Sequence, residues 1–150
     1  RFRSSCAANR GTEMPKYRKG LEPIPVPTPI SKPFWDGAKQ HRLALQRCAN
    51  GHVFYYARSH CPVCLSNQLE WFDASGKGTI YSYTVARRAT APEFEADVPY
   101  TIGVIELAEG PRMTSLVVEV DPDSVRIGMA VEVVFDDIND ETALPYFRPV

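Results

Sequence analysis

One stretch limits this chain more than any other. RCANGHVFYYARSHCPVC, residues 47–64, holds three of the four cysteines and two of the three histidines. Tetrahedral zinc takes about four N or S ligands, commonly from two tight turns, and a CxxC turn lets both thiolates point at one centre. CPVC, residues 61–64, is such a turn and specifies half a site. The other half is less regular. CANGH puts Cys48 on a turn with Gly51, a residue suited to positive φ, and sets His52 where a longer imidazole reaches the place of a second cysteine. The expected metal ligands are therefore Cys48, His52, Cys61 and Cys64, with zinc as the ion. His60 and a water are rivals for the fourth place, His60 the weaker because its neighbour Cys61 is already bound. The bland alternative is a degenerate knuckle without metal, held by packing of Val53, Phe54, Tyr55 and Tyr56.

A structural ion is expected rather than a catalytic one. An open zinc needs a cleft and a nearby general base, and no carboxylate falls between Asp36 and Glu70. Nucleophilic cysteine chemistry is disfavoured because the CPVC pair already has ligand company and no Cys/His/Asn arrangement stands out. Three clustered cysteines in a chain whose first twenty residues are basic and polar suggest reduced thiols in a cytoplasm, not a disulfide framework. No apolar run approaches the roughly 20 residues of a membrane-spanning helix. Met14 is expected to be the natural start, with residues 1–13 an upstream extension.

Charge is unevenly spread. Residues 1–70 carry eleven Lys or Arg against four acids, net +7, whereas residues 71–150 carry six against fourteen, net −8. Such a dipole can steer an anionic ligand to one end, and solvated faces of differing sign are the equal alternative.

The chain divides into four segments. Residues 1–30 are expected to form an extended Pro-rich arm: six prolines run from Pro15 to Pro33, a spacing that prevents a helix and favours a polyproline-like strap. Leu21, Ile24, Val26 and Ile30 favour a strap laid along a partner over a free linker. Residues 31–45 form a short helix and a lead-in strand. Ser31 can cap, Pro33 fits a first turn, Phe34, Trp35 and Ala38 share one side, and Gly37 weakens the helix. From Leu43 the alternation of Leu43, Leu45 and Arg47 against Ala44 and Gln46 predicts a strand that delivers Cys48 to its turn. Residues 46–72 form the zinc ribbon. Residues 73–150 are all-β: GKGTIYSYTVARR, YTIGVIEL, MTSLVVEV, MAVEVVFDDI and YFRPV predict five strands, with a long connection at ARRATAPEFEADVP, a tight EGPR turn and a turn-rich DPDSVRIG insert. That order fits a five-stranded Greek-key barrel of the OB type. The fold class is mainly β, with arm and helix, ribbon, then barrel.

A helix opening with FW, then LxLQRC, a CPxC knuckle, SGKGTIYSYT, PYxIGVIEL and VRIGMAVEVVF together resemble a bacterial and archaeal family of OB-fold proteins with an N-terminal rubredoxin-like zinc ribbon, the acyl-CoA-associated kind. The resemblance covers residues 31–150. Gly51 and His52 depart from the CxxC usual in that family's first knuckle. The resemblance implies a non-catalytic accessory subunit that binds a thiolase-fold enzyme (thiolase, acyltransferase, or retro-aldolase of sterol side-chain breakdown) or a MaoC-like enoyl-CoA hydratase in a hetero-oligomer, with acyl-CoA a candidate ligand. On that view Arg87 and Arg88, at the end of the first barrel strand, are candidates to meet CoA phosphates, solvated strand-end charge being the plainer reading.

Two rival classes remain. A single-stranded nucleic-acid module would use Tyr81 and Tyr83 as stacking platforms, but the acidic barrel lacks the basic groove such binding relies on, so no nucleic-acid partner and no membrane partner is expected. A lone enzyme would draw on Glu93, Glu95 and Asp97 of the long loop, more simply a solvated acidic cluster.

Overall fold

The computed structural model describes residues 24–89 and 92–150. The expectations for residues 1–13, Met14, Leu21 and the Glu93 side chain fall outside the described residues. The architecture is a short helix, a three-stranded sheet and a closed barrel, mainly β as expected from the sequence.

Helix α1, Lys32–Lys39, begins with Pro33 in its first turn and buries Phe34, Gly37 and Ala38. Ser31 stands at the N-cap but its hydroxyl makes no capping bond to the helix. It accepts instead from the Thr28 amide at 2.9 Å, closing the turn that brings the arm into the helix. Gly37 has a purpose beyond weakening α1. A Cβ there would stand 3.1 Å from both the Ala44 Cβ and the Arg42 carbonyl, so its bareness lets the helix lie close on the next strand.

That strand, β1 (Ala44–Cys48), is central in the sheet β2-β1-β3, with β2 at Val53–Phe54 and β3 at Leu69–Asp73. β1 pairs with β3 over five residues, from Ala44↔Asp73 to Cys48↔Leu69. The alternation of Leu43 and Leu45 with polar positions suggests one wet face. Both faces are covered instead, and Ala44, Leu45 and Gln46 are all buried, because α1 lies close on Ala44 at Gly37 and the loop at Arg58 closes over Gln46.

The barrel strands are β4 (Lys77–Ala86), β5 (Tyr100–Leu107), β6 (Arg112–Val117), β7 (Ala130–Asn139) and β8 (Thr142–Pro149). Their order is β4-β5-β6-β8-β7, closed by pairing of β4 with β7, and β6 meets β8 in parallel at Val117↔Phe147. β5 shows why a barrel forms. Thr101, Gly103, Ile105 and Leu107 point inward and every residue between points out, the period of two that a closed sheet needs. A bulge between Ile80 and Ser82 shifts the register of β4 on β5 just past Lys77–Thr79, the stretch of β4 that also pairs with β7, as bulges do at barrel corners. The interior is filled by Ile80, Ile105, Met113, Val117, Val131 and Phe147.

Two strand limits differ from the sequence reading. β6 stops at Val117 because Val118 turns its N–H to the Phe147 carbonyl and Glu119 adopts positive φ. β8 starts at Thr142, four residues before YFRPV, and so contains Pro145. The carbonyl of Pro145 faces β6, where the Ser115 hydroxyl donates to it at 2.6 Å. A strand residue's N–H lies on the same side as its carbonyl, so the missing donor of Pro145 falls outside the β7 ladder. Among the described residues no helix is long and apolar enough to cross a membrane.

Candidate metal centre

β1 ends at Cys48, and the chain then makes a tight turn: Gly51 donates to the Cys48 carbonyl at 2.8 Å, Gly51 has φ +83°, and Cys48 donates to the His52 carbonyl at 3.0 Å. This turn swings His52 back over Cys48. The second knuckle closes in the same manner, with Leu65 donating to the Cys61 carbonyl at 3.0 Å and Cys61 to the Ser66 carbonyl at 2.9 Å.

The two turns face each other. The ligand atoms of Cys48, His52, Cys61 and Cys64 all lie within 4.8 Å of one another. The His52 Nδ1 is 3.3 Å from the Cys48 Sγ and 3.7 Å from the Cys61 Sγ, and the Cys48 and Cys64 sulfurs are 3.8 Å apart. A tetrahedral zinc at ordinary bond lengths sets S···S near ~3.8 Å and S···N near ~3.6 Å, close to these three separations. His60, the rival, is exposed and its Nδ1 lies 3.1 Å from the Ser59 hydroxyl, outside the cluster.

The electrostatics favour a cation. The Ser66 N–H and then the Asn50 amide hold the Cys64 thiol down at about 6. Asn50 donates to that sulfur at 3.3 Å. Burial opposes the Cys48 thiolate, yet the backbone N–H groups of His52 and Asn50 outweigh it and its thiol is lowered. Cys61, fully buried, is raised by that burial. The His52 imidazole is raised, first by Cys64 and then by Cys48. A field that holds a proton on His52 is one that a divalent cation satisfies better, since thiolates are the ligating form.

Two supporting residues escaped sequence reasoning. Gln46, buried on β1, accepts from the Arg58 N–H at 2.7 Å and donates to the Arg58 carbonyl at 3.1 Å, tying the approach to the second knuckle onto the strand below the first. Asn50 carries a faint signal, as a polar residue inside a knuckle; Gln46 carries none, because its partner is a backbone twelve residues away.

The other candidate residues lie elsewhere. Arg87 is exposed and paired with Asp123, while Arg88 is exposed beside it, past the end of β4. Glu95 is exposed; Asp97 lines a groove of about 410 Å³ between helix and barrel, and burial raises its carboxyl above the ordinary range. Tyr81 and Tyr83 are exposed on β4, but the Arg112 guanidinium sits 3.3 Å from the Tyr81 ring centroid and occupies a face a base would need.

Known proteins share both modules. The family described as ChsH2, rubredoxin-like zinc ribbon domain, matches residues 35–70, and that described as ChsH2, C-terminal OB-fold domain, matches residues 71–136. The chain is 33% identical over 130 residues to a DUF35 domain-containing scaffold protein of Pyrococcus furiosus, covering 83% of this chain and 95% of that one. It is 36% identical over 132 residues to a probable enoyl-CoA hydratase alpha subunit of Thermomonospora curvata, covering 87% of this chain but only 41% of that one, so it spans about two fifths of that relative's length. A solved structure, the Ltp2-ChsH2(DUF35) aldolase, contains a chain that superposes with a TM-score of 0.74 at 36% identity, covering 83% of this chain and 98% of that one.

Proposed function

Because this chain belongs to the DUF35 family of zinc-ribbon and OB-fold proteins, we propose that it is a non-catalytic accessory subunit of an enzyme that processes acyl-CoA, with a thiolase-fold enzyme as the partner. One observation carries the reading. The ribbon and barrel align with nearly the whole of one chain of the Ltp2-ChsH2(DUF35) aldolase. The convergence of Cys48, Cys61 and Cys64 on one centre agrees with it, since three sulfurs within reach of one ion suit holding a fold together better than attacking a substrate.

In this reading the Sγ atoms of Cys48, Cys61 and Cys64 and the Nδ1 of His52 hold a structural zinc. The ion supplies folding free energy to a module with little apolar core, and Asn50 and Gln46 set the two knuckles in place around it. Metal analysis of the purified chain should return one zinc per chain, and His52→Ala should lower that occupancy while His60→Ala leaves it unchanged. Arg88, with Arg87 if it leaves Asp123, would meet CoA phosphates. Replacing both by Ala should weaken acyl-CoA binding by the assembled complex several-fold, and an unchanged affinity removes that role.

A MaoC-like hydratase as partner is the second reading, favoured by the likeness to a hydratase alpha subunit. Co-expression with candidate thiolase-like and MaoC-like enzymes, followed by affinity capture on this chain, separates the two. Retention of neither, or acyl-CoA turnover by the lone chain, overturns the accessory role.

A further inference from the structure

Two apolar residues beside the metal cluster stand in a backbone conformation that their side chains disfavour. Leu65, next to Cys64, has φ +59°, and Tyr56, where the chain approaches the second knuckle, has φ +66°. Glycine enters the left-handed region without steric cost, as Gly51 does in the first knuckle, whereas a residue with a Cβ is strained there. Burial of the side chain would offset that strain, yet Leu65 is 75% exposed and Tyr56 60%. Their surroundings are apolar too. Val63, between the cysteines of CPVC, is exposed, as is Ile30 at the end of the arm. Ile30, Pro62 and Leu65 line one hollow of about 440 Å³, with Arg58 in its wall. The charge there has a single sign. Residues 37–69 contain no Asp or Glu. Arg42 and Arg47 reach beyond that stretch to Asp73 and Glu70, whereas the exposed Arg58 has no carboxylate within ion-pair distance among the described residues. Gln46 holds the Arg58 backbone by two hydrogen bonds, which fixes where its guanidinium starts.

We propose that this face of the second knuckle, Leu65 and Val63 with Ile30, Tyr56 and Arg58, is where the partner enzyme docks, seating an apolar side chain in the hollow and a carboxylate on Arg58. The proposal rests on the accessory-subunit reading and adds to it the surface used and the chemistry of the partner's contact. Strain at an exposed apolar residue points to a use for that side chain outside its own fold. In the complex the Leu65 side chain leaves water, and the offset that the lone chain lacks is supplied. The knuckle is also stiff: Leu65 donates to the Cys61 carbonyl at 3.0 Å and Cys61 to the Ser66 carbonyl at 2.9 Å. A side chain presented on such a turn loses little freedom on binding, and a few side chains of that kind carry most of an interface's affinity. A second copy of this chain is the wrong occupant. A two-fold contact would bring Arg58 against the same acid-free face.

Leu65→Gly separates a docking residue from a structural one. It removes the exposed side chain and relieves the backbone, so the melting temperature of the full-length chain should hold or rise by about 2–4 °C. Affinity for the thiolase-like or MaoC-like enzyme retained in co-expression should fall about tenfold, the scale of losing one central contact. Leu65→Asn, polar but also tolerant of the left-handed region, should weaken binding alike. Arg58→Glu should slow association with that enzyme several-fold, and the deficit should shrink as salt rises. Unchanged affinity in the Leu65 variants, or an Arg58→Glu association rate equal to the parental one, overturns this face and leaves the accessory reading standing. A fall in melting temperature alongside the loss of affinity assigns Leu65 to the knuckle's own support and overturns the docking role. Retention of no candidate enzyme by the parental chain removes the accessory reading and this proposal together. Self-association that Leu65→Gly abolishes gives the face to a second copy and overturns the proposal.

Discussion

The ribbon and the barrel hold themselves together by different means. The barrel's core is continuous and apolar, with Ile80, Ile105, Met113, Val117, Val131 and Phe147 interlocked and its edges removed by closure. The ribbon's own buried cluster is Cys48, Phe54 and Cys61, with Cys64 and Leu69 against it, so three of its five members are sulfur side chains. A core that small cannot offset the conformational entropy of ordering two knuckles. The barrel is stable through area removed from water. The ribbon needs an ion, or the helix and barrel that Phe34, Leu43 and Leu45 press it against.

The sharpest way to break this contrast is to remove the zinc proposed for the Cys48, His52, Cys61 and Cys64 cluster. Structural zinc in small modules contributes about 10–16 kcal/mol of apparent folding free energy. Chelation or Cys61→Ala should therefore strip hydrogen-exchange protection from β1, β2 and β3 while β5 and β7 keep theirs. Loss of protection in both regions together would show that the two are one cooperative unit. Phe147→Ala attacks the other side. Phe147 is fully buried, so its loss should cost about 3–5 kcal/mol in denaturant unfolding of the barrel, with zinc content intact.

Tyr55 joins the regions, packed at 5.8 Å from Phe34, and burial pushes its hydroxyl up to about 12. The folded chain thus keeps the proton through a range where the unfolded chain, titrating near ~10, has lost it. Stability is full below about pH 10 and falls as pH rises toward about 12, and Tyr55→Phe should flatten that fall in alkaline denaturation curves. Gln46→Ala should cost about 1–3 kcal/mol by leaving the Arg58 N–H and carbonyl unpaired, and should speed zinc release to a chromogenic chelator. The smallest effect is expected from Arg47→Ala. Its pair with Glu70 is exposed, and thermal melts should show under about 1 kcal/mol.

Much of the barrel was legible because closure imposes a local rule, the inward and outward alternation seen in YTIGVIEL, that sequence displays directly. Strand ends are another matter. β6 stops early through a bond from Val118 to Phe147, and β8 tolerates Pro145 only because its empty donor side faces Ser115. In the ribbon, CPVC declares its turn by spacing alone. The faces of β1 do not follow their alternation, since Gln46 is buried by a loop twelve residues on.

The amino-acid sequence alone determined that there is a cysteine turn able to grip an ion, a short helix bared at Gly37, and a run of alternating strands, because turn chemistry and side-chain period act over a few residues. Tertiary structure decided which imidazole faces the sulfurs, what locks the knuckles together, and that Asp97 lies in an apolar groove with a bare oxygen. Those outcomes depend on segments far apart in the chain meeting in space, and contacts of that kind leave no pattern in local sequence.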